Sequence, residues 1–344
     1  MKEPDDFRLR DRRRVRVRTA AVAIVLVALF AASFNFGRYE IPAGDIVRVI
    51  VDFVSAAGNV SLKGDTTVVM FIRLPRILAA ILIGAALALA GASYQAVFRN
   101  PLVSPDILGA SAGASLGAAI AIFSGFSGVF VGLLAFVCSL AAVLVACAVG
   151  KRVKKDPTLA LILAGIFVGS LCSAVVSLIK FVADPNDKLP TLTYWLLGSL
   201  ANVTIDQLLW AIVPIVLAAC PLLLMRWRMN ALSLGEAEAR SLGVDLSRDR
   251  GIVILCATVL TATSIAVGGL IGWVGLVIPH LSRMLVGHDN RASIPVSILL
   301  GGAFLLLVDN FARTLTTLEV PLGVLTAIVG APFFLGLMMR GKGR

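Results

Sequence analysis

Apolar runs of about 17–24 residues recur from Ala20 to Met339, separated by shorter polar tracts. A helix needs about 20 such residues to cross the hydrocarbon of a bilayer, and inside it every backbone N–H and C=O must be satisfied within the fold. The chain is therefore read as an all-α, polytopic membrane protein. Its 58% hydrophobic content, above the roughly 45–50% of globular domains, agrees.

Residues 1–19 carry RLRDRRRVRVR and lead into Ala20–Phe36, read as a start-transfer anchor whose arginines stay inside. The alternative is a signal peptide cut near Ala31-Ala32-Ser33. The mixed 37–73 segment reads as an exported loop with room for a short helix. Ile77–Val97 is a full span, and the prolines of the following FRNPLVSPD block its continuation. Ile107–Val149 is too long for one span and divides at SGFSG (124–128). Lys151, Arg152, Lys154 and Lys155 then return the chain to the side of Arg99. Leu159–Val182 and Leu208–Leu224 follow. Ile252–Val286 is interrupted by Gly268, Gly269, Gly272, Gly275 and Pro279, and arginines flank both its ends. It must go out and return, with one short leg covered by protein. Ile294–Phe311 and Leu322–Met339 complete about ten spans with both termini inside, which puts 23 of the 31 Lys and Arg on the inner side.

The formal charge of +11 thus marks membrane orientation, and no nucleic-acid partner is expected. The layout is a basic N-terminal segment (1–19), one transmembrane domain (20–340) and a short tail (341–344). Cys138, Cys147, Cys172, Cys220 and Cys256 stand singly in apolar runs without CxxC spacing, so neither a disulfide framework nor a zinc site is indicated.

The one long polar segment between apolar blocks is Arg226–Arg250. Ser233 and Glu236 read as a capping box that starts a helix, and Gly243 as its end. About nine residues make a rod of roughly 14 Å, too short to stand alone in water. Gly235, Ala237 and Ala239 would let another surface approach closely, while Glu236, Glu238 and Arg240 hold the rod at a wet boundary. With Leu234 it reads as a docking helix for a soluble partner, or else as a solvated connection. GLMMRGKG (336–343) mimics part of a phosphate-binding loop, but Gly343 replaces the Ser or Thr that would hold magnesium and no helix follows. No cofactor is expected on this chain, and if ATP with magnesium is used, another polypeptide supplies its site.

Ser170, Ser173 and Ser177 form one stripe on Leu159–Val182, with Lys180 beyond. They read either as a wetted path for a moving solute or as serines bonding their own helix. Thr258, Thr261 and Ser264 repeat the pattern. GASAG (109–113) and GASLG (113–117) match a nucleophile motif, so an intramembrane serine protease using Ser111 or Ser115 is the alternative of a different class. Overlapping copies in an apolar helix read better as close packing. The spans carry no carboxylate at mid-depth, which argues against a proton-coupled carrier. Asp309 and Arg313 are spaced to pair. Arg73, Arg76 and Arg313 stand at the outer mouth, as snorkelling anchors or as cations that capture carboxylates of an external partner.

RLPRILAAILIGAALALAGASYQAVFRNPLVSPDILGASAGA (73–114), SLGEAEARSLGV (233–244), GGLIGWVGLVIPHLSRMLVGHDNR (268–291) and EVPLGVLTAIVGAPFF (319–334) resemble the FecCD, or BtuC-like, permeases of type II bacterial ABC importers. The resemblance implies a ten-helix inner-membrane subunit that pairs with a second permease copy, with the path between them lined by the fifth span and hence by Ser170, Ser173 and Ser177. It further implies two ATPase subunits docked on helices like Ser233–Gly243, and a periplasmic binding protein whose acids meet Arg73, Arg76 and Arg313. Membrane lipid surrounds such a subunit. Ferric siderophores, haem or cobalamin are the implied cargo, and molybdate or tungstate is the alternative.

Overall fold

The computed structural model describes residues 4–37, 39–55, 64–153, 157–234, 236–316 and 318–341, and these contain helices and connections without a strand. In order they are α1 (Pro4–Ser33), α2 (Ala43–Ser55), the single turn α3 (Gly64–Thr66), α4 (Leu74–Phe98), α5 (Ala110–Phe123), α6 (Val129–Gly150), α7 (Pro157–Val182) and α8 (Lys188–Leu197). Then come α9 (Ile205–Leu224), α10 (Arg226–Leu232), α11 (Glu236–Ser241), α12 (Leu246–Gly268), α13 (Val274–Val286), α14 (Asn290–Thr314) and α15 (Leu322–Gly341). Among the described residues seven helices are long and apolar enough to span a membrane, and α5, α13 and α15 are shorter apolar helices. Together they match the ten expected spans.

The bundle is built around α4, buried along almost its whole length and packed by α14, α12, α13 and α9. Upstream α4 continues from a π-helical turn, Thr67–Arg73, with Arg73 still at helical dihedrals, so the apolar helix runs unbroken from Gly64 through Pro75. Its end is Arg99 in the left-handed region, φ +51°, followed by Asn100 and Pro101. Between these, glycines bring backbones into contact: a Cβ on Gly84 would lie 2.2 Å from the Gly301 carbonyl oxygen of α14, and one on Gly91 1.8 Å from that of Gly275 of α13. No side chain fits there, so α4, α13 and α14 meet main chain to main chain.

The broken segment is the connection between α12 and α13. At 13 residues α13 is about 20 Å long, short of the ~30 Å hydrocarbon layer. Its freed backbone is covered by protein, as expected: the Ser199 N–H donates to the Gly268 carbonyl at 2.9 Å. Trp273 turns the chain with φ +68° and packs its ring against Phe334.

One end of the bundle gathers the basic tracts. Arg18 of α1 donates to the Leu285 carbonyl, Arg99 Nε to that of Leu232 at 2.9 Å, and Arg226 Nη1 to that of Arg291 at 3.2 Å. The opposite end, some 25 residues along α4, carries Arg73, Arg76, Asp309 and Arg313. The separation agrees with the parity argued from charge. Lys154, Lys155, Gly235 and Gly343 lie outside the described residues.

Candidate functional site

At the basic end, α10 forms a platform fixed on three sides. Met229 and Leu232 share a buried core cluster with Val97 and Phe98. Asn230 donates to Asp289 at 2.6 Å and accepts from the Asn290 N–H at 2.8 Å, which ties α10 to the α13–α14 turn. Arg228 pairs at 3.0 Å with Asp249 of α12, whose side chain has no exposed surface. Charge-pattern reading missed these polar anchors, because RWRMN and SRDR each look like solvated loop.

On this platform sits α11, and here two expectations are corrected. Ser233 does not cap it: α10 runs on to Ser233, whose hydroxyl donates back to the Met229 carbonyl at 2.9 Å. The apolar Met229, Ala231 and Leu232 hold that last turn in the core, so the next helix starts only at Glu236 and lasts six residues. A reciprocal capping box is instead found at Thr204 and Gln207, the start of α9. Gly243 ends the turn as expected, at φ +75°. The second correction concerns Ala239, which is fully buried against the chain's own bundle with Val244 and Leu246, so it anchors α11 and offers no face to a partner. The outward residues are Leu234, Glu238, Arg240 and Leu242, with Leu234 and Leu242 each about half exposed. Their partner-facing signal was the four-residue spacing of 234, 238 and 242.

At the opposite end the three expected surface cations are buried. Arg76 holds Asp309 at 2.9 Å and Glu319 at 2.8 Å, and Arg313 Nε meets the other Asp309 oxygen at 3.2 Å. Arg73 donates to the carbonyls of Phe34 and Tyr39, and Arg313 to Asn310 and the Phe36 carbonyl. Asn310 donates in turn to Ser33. The expectation of free outward arginines is thus corrected, because α14 and its following loop bring two carboxylates into hydrogen-bonding reach. The expected Asp309–Arg313 pair is present. Glu319 is the looser member: about a quarter of its side chain is exposed and Oε2 has no partner among the described residues.

Ser170, Ser173 and Ser177 lie together on an exposed face of α7. Ser170 and Ser177 donate to the carbonyls of Ile166 and Ser173, leaving their lone pairs outward. Their analogues on α12 do not line a surface: Thr258, Thr261 and Ser264 are buried, each bonded to its own helix, with Tyr94 on Thr258 at 2.8 Å. Ser111 donates to Asp106 and Ser115 to the Ser111 carbonyl, an arrangement without a nucleophile–histidine contact among the described residues.

A family model described as the FecCD transport family matches residues 25–340. The chain belongs to the FecCD transport family. This FecCD permease is 40% identical over 321 residues to the molybdate import system permease protein of Haemophilus influenzae, covering 93% of this chain and 94% of that one. It is 35% identical over 336 residues to the vitamin B12 import system permease protein of Klebsiella pneumoniae, covering 97% and 96%. A solved metal-chelate type ABC transporter in an inward-facing conformation superposes with a TM-score of 0.84 at 37% identity, covering 94% of this chain and 98% of that one. The FecCD permease is a membrane component of an ABC importer, a class in which separate subunits hydrolyse ATP.

Proposed function

We propose that this FecCD permease imports a metal chelate of the ferric siderophore, haem or cobalamin class across the bacterial inner membrane, with both termini on the cytoplasmic side. The observation that carries the reading is α11, a short exposed helix on a polar-anchored platform at the end where the basic tracts converge. Such a helix delivers motion from a soluble subunit to α4, α12 and α14, so one of two ATPase subunits seats on each copy. A second copy faces α7, and the cargo passes between the two along Ser170, Ser173 and Ser177. Weak acceptors spaced along a helix wet a passage without trapping what moves through it. The binding protein docks on the end that holds Arg73, Arg76 and Arg313, and a direct contact with Arg76 requires Glu319 to move aside. The 40% identity to a relative named for molybdate favours molybdate or tungstate as the second reading.

The test is ATP-dependent uptake in proteoliposomes containing the permease, its neighbouring ATPase and its binding protein. Uptake of a labelled chelate that excess molybdate does not compete is the expected result. Molybdate uptake without chelate uptake would install the second reading, and uptake driven by an ion gradient without the ATPase would overturn the importer.

A further inference from the structure

Between the basic ends of α4, α6, α7 and α12 lies a cavity of about 490 Å³, within the roughly 300–1,000 Å³ of small-molecule sites. Its polarity is graded with depth. Lys151, Arg240, Arg250, Ser247 and Thr158 stand round its mouth, and Leu140, Val143, Leu144, Ile254 and Leu255 line its interior. Among the described residues that line it, none is an Asp or Glu. Lys151, the cap of α6, is eleven residues beyond Leu140, so the apolar part reaches about 16 Å below the cations. At the inner limit, the Thr258 hydroxyl is already engaged by the Ile254 carbonyl and Tyr94, so nothing there asks for a polar occupant. Leu144 and Leu255 are 57% and 51% exposed, which opens one wall sideways onto a helix surface that faces acyl chains in a spanning bundle.

We propose that this cavity binds one anionic phospholipid, with an acyl chain laid between α6 and α12 and the phosphate at Lys151 and Arg240. A cationic mouth over a deep apolar slot, open to the side, fits an amphiphile with a negative head. A polar cargo would leave its own groups unpaired among the leucines. The bound lipid ties the exposed α11, through Arg240, to the ends of α6 and α12. That mechanical consequence rests on the coupling reading above, whereas the binding itself does not.

The test uses the full-length permease in detergent, titrated with phosphatidylglycerol or phosphatidylcholine and read by native mass spectrometry. One tightly held phosphatidylglycerol per chain is expected, in preference to phosphatidylcholine. Each cation near a membrane surface contributes about a factor of five to anionic lipid binding, so Lys151→Gln/Arg240→Gln should weaken it roughly thirty-fold. Ile254→Trp should lower it by filling the slot with every cation in place. Arg152→Gln removes an exposed cation beside Lys151 that does not line the cavity, and should leave binding unchanged. Equal retention of the two lipids, an unaffected double variant, or an equal loss in Arg152→Gln would each overturn the site. Should Ile254→Trp fail to fold, the double variant, at two exposed positions, carries the test against Arg152→Gln.

Discussion

Asp309 has no exposed surface, accepts hydrogen bonds from Arg76 and lies in ion-pair contact with Arg313, and Arg76 spans from it to Glu319 in the next loop. Removing one partner of such a buried pair strands a charge, which costs about 3–5 kcal/mol. Asp309→Asn is therefore expected to lower the thermal unfolding midpoint and the folded yield in detergent, while Arg48→Gln, an exposed partner of Asp45, should leave both unchanged. Charge reversal at Arg76 would set a third carboxylate beside Asp309 and Glu319, so it reports on folding before it reports on docking. Glu319→Gln is the cleaner variant, because its Oε2 is unpartnered and the side chain partly open. It should tighten binding-protein affinity several-fold in a reconstituted assay, and an unchanged or weaker affinity would show that Arg76 takes no part in contact. The residue types of this cluster were legible in the sequence, but their burial was not. Arg76 meets carboxylates 233 and 243 positions away, and no local pattern connects them.

At the scale of elements, helix length and charge parity were enough to place the ten spans, because bilayer thickness constrains both. What failed was the reading of short motifs. S-x-x-E at Ser233 and T-x-x-Q at Thr204 carry the same capping signal, and only the second is realised, since core packing of Met229 and Leu232 decides the first. Ala239 illustrates the same limit: a small residue permits close approach without saying whose surface approaches. Ala239→Leu should overpack α11 against its own bundle at a cost of about 1–3 kcal/mol, seen as a lower unfolding midpoint. Leu242→Asp should keep the midpoint and reduce ATPase co-purification about tenfold, since one buried aliphatic contact is worth about 1.5–3 kcal/mol. Among glycines, Gly91→Ala should abolish folded yield because its Cβ would overlap the Gly275 carbonyl. Gly336→Ala, with nothing within 4 Å, should be neutral or slightly stabilising.

For the whole molecule, the two ends differ in chemistry as well as in sequence. One gathers Arg18, Arg99, Arg226 and Arg291 and exposes α11, and the other buries its arginines against carboxylates. With the five native cysteines replaced, Ser241→Cys should react with an impermeant maleimide only from the inner side, and Asp187→Cys, at the α7–α8 turn, only from the outer side. The reverse pattern would invert the proposed orientation. The glycine contacts of α4 with α13 and α14 bear on how such a molecule can respond to its neighbours. Rods touching at bare backbone have little slack to absorb a shove, so α4 and α14 behave as one girder through the thickness of the bilayer, with the shorter α13 braced against it. Whatever nudges the girder at its lower tip must be felt, without relay or delay, at its upper one.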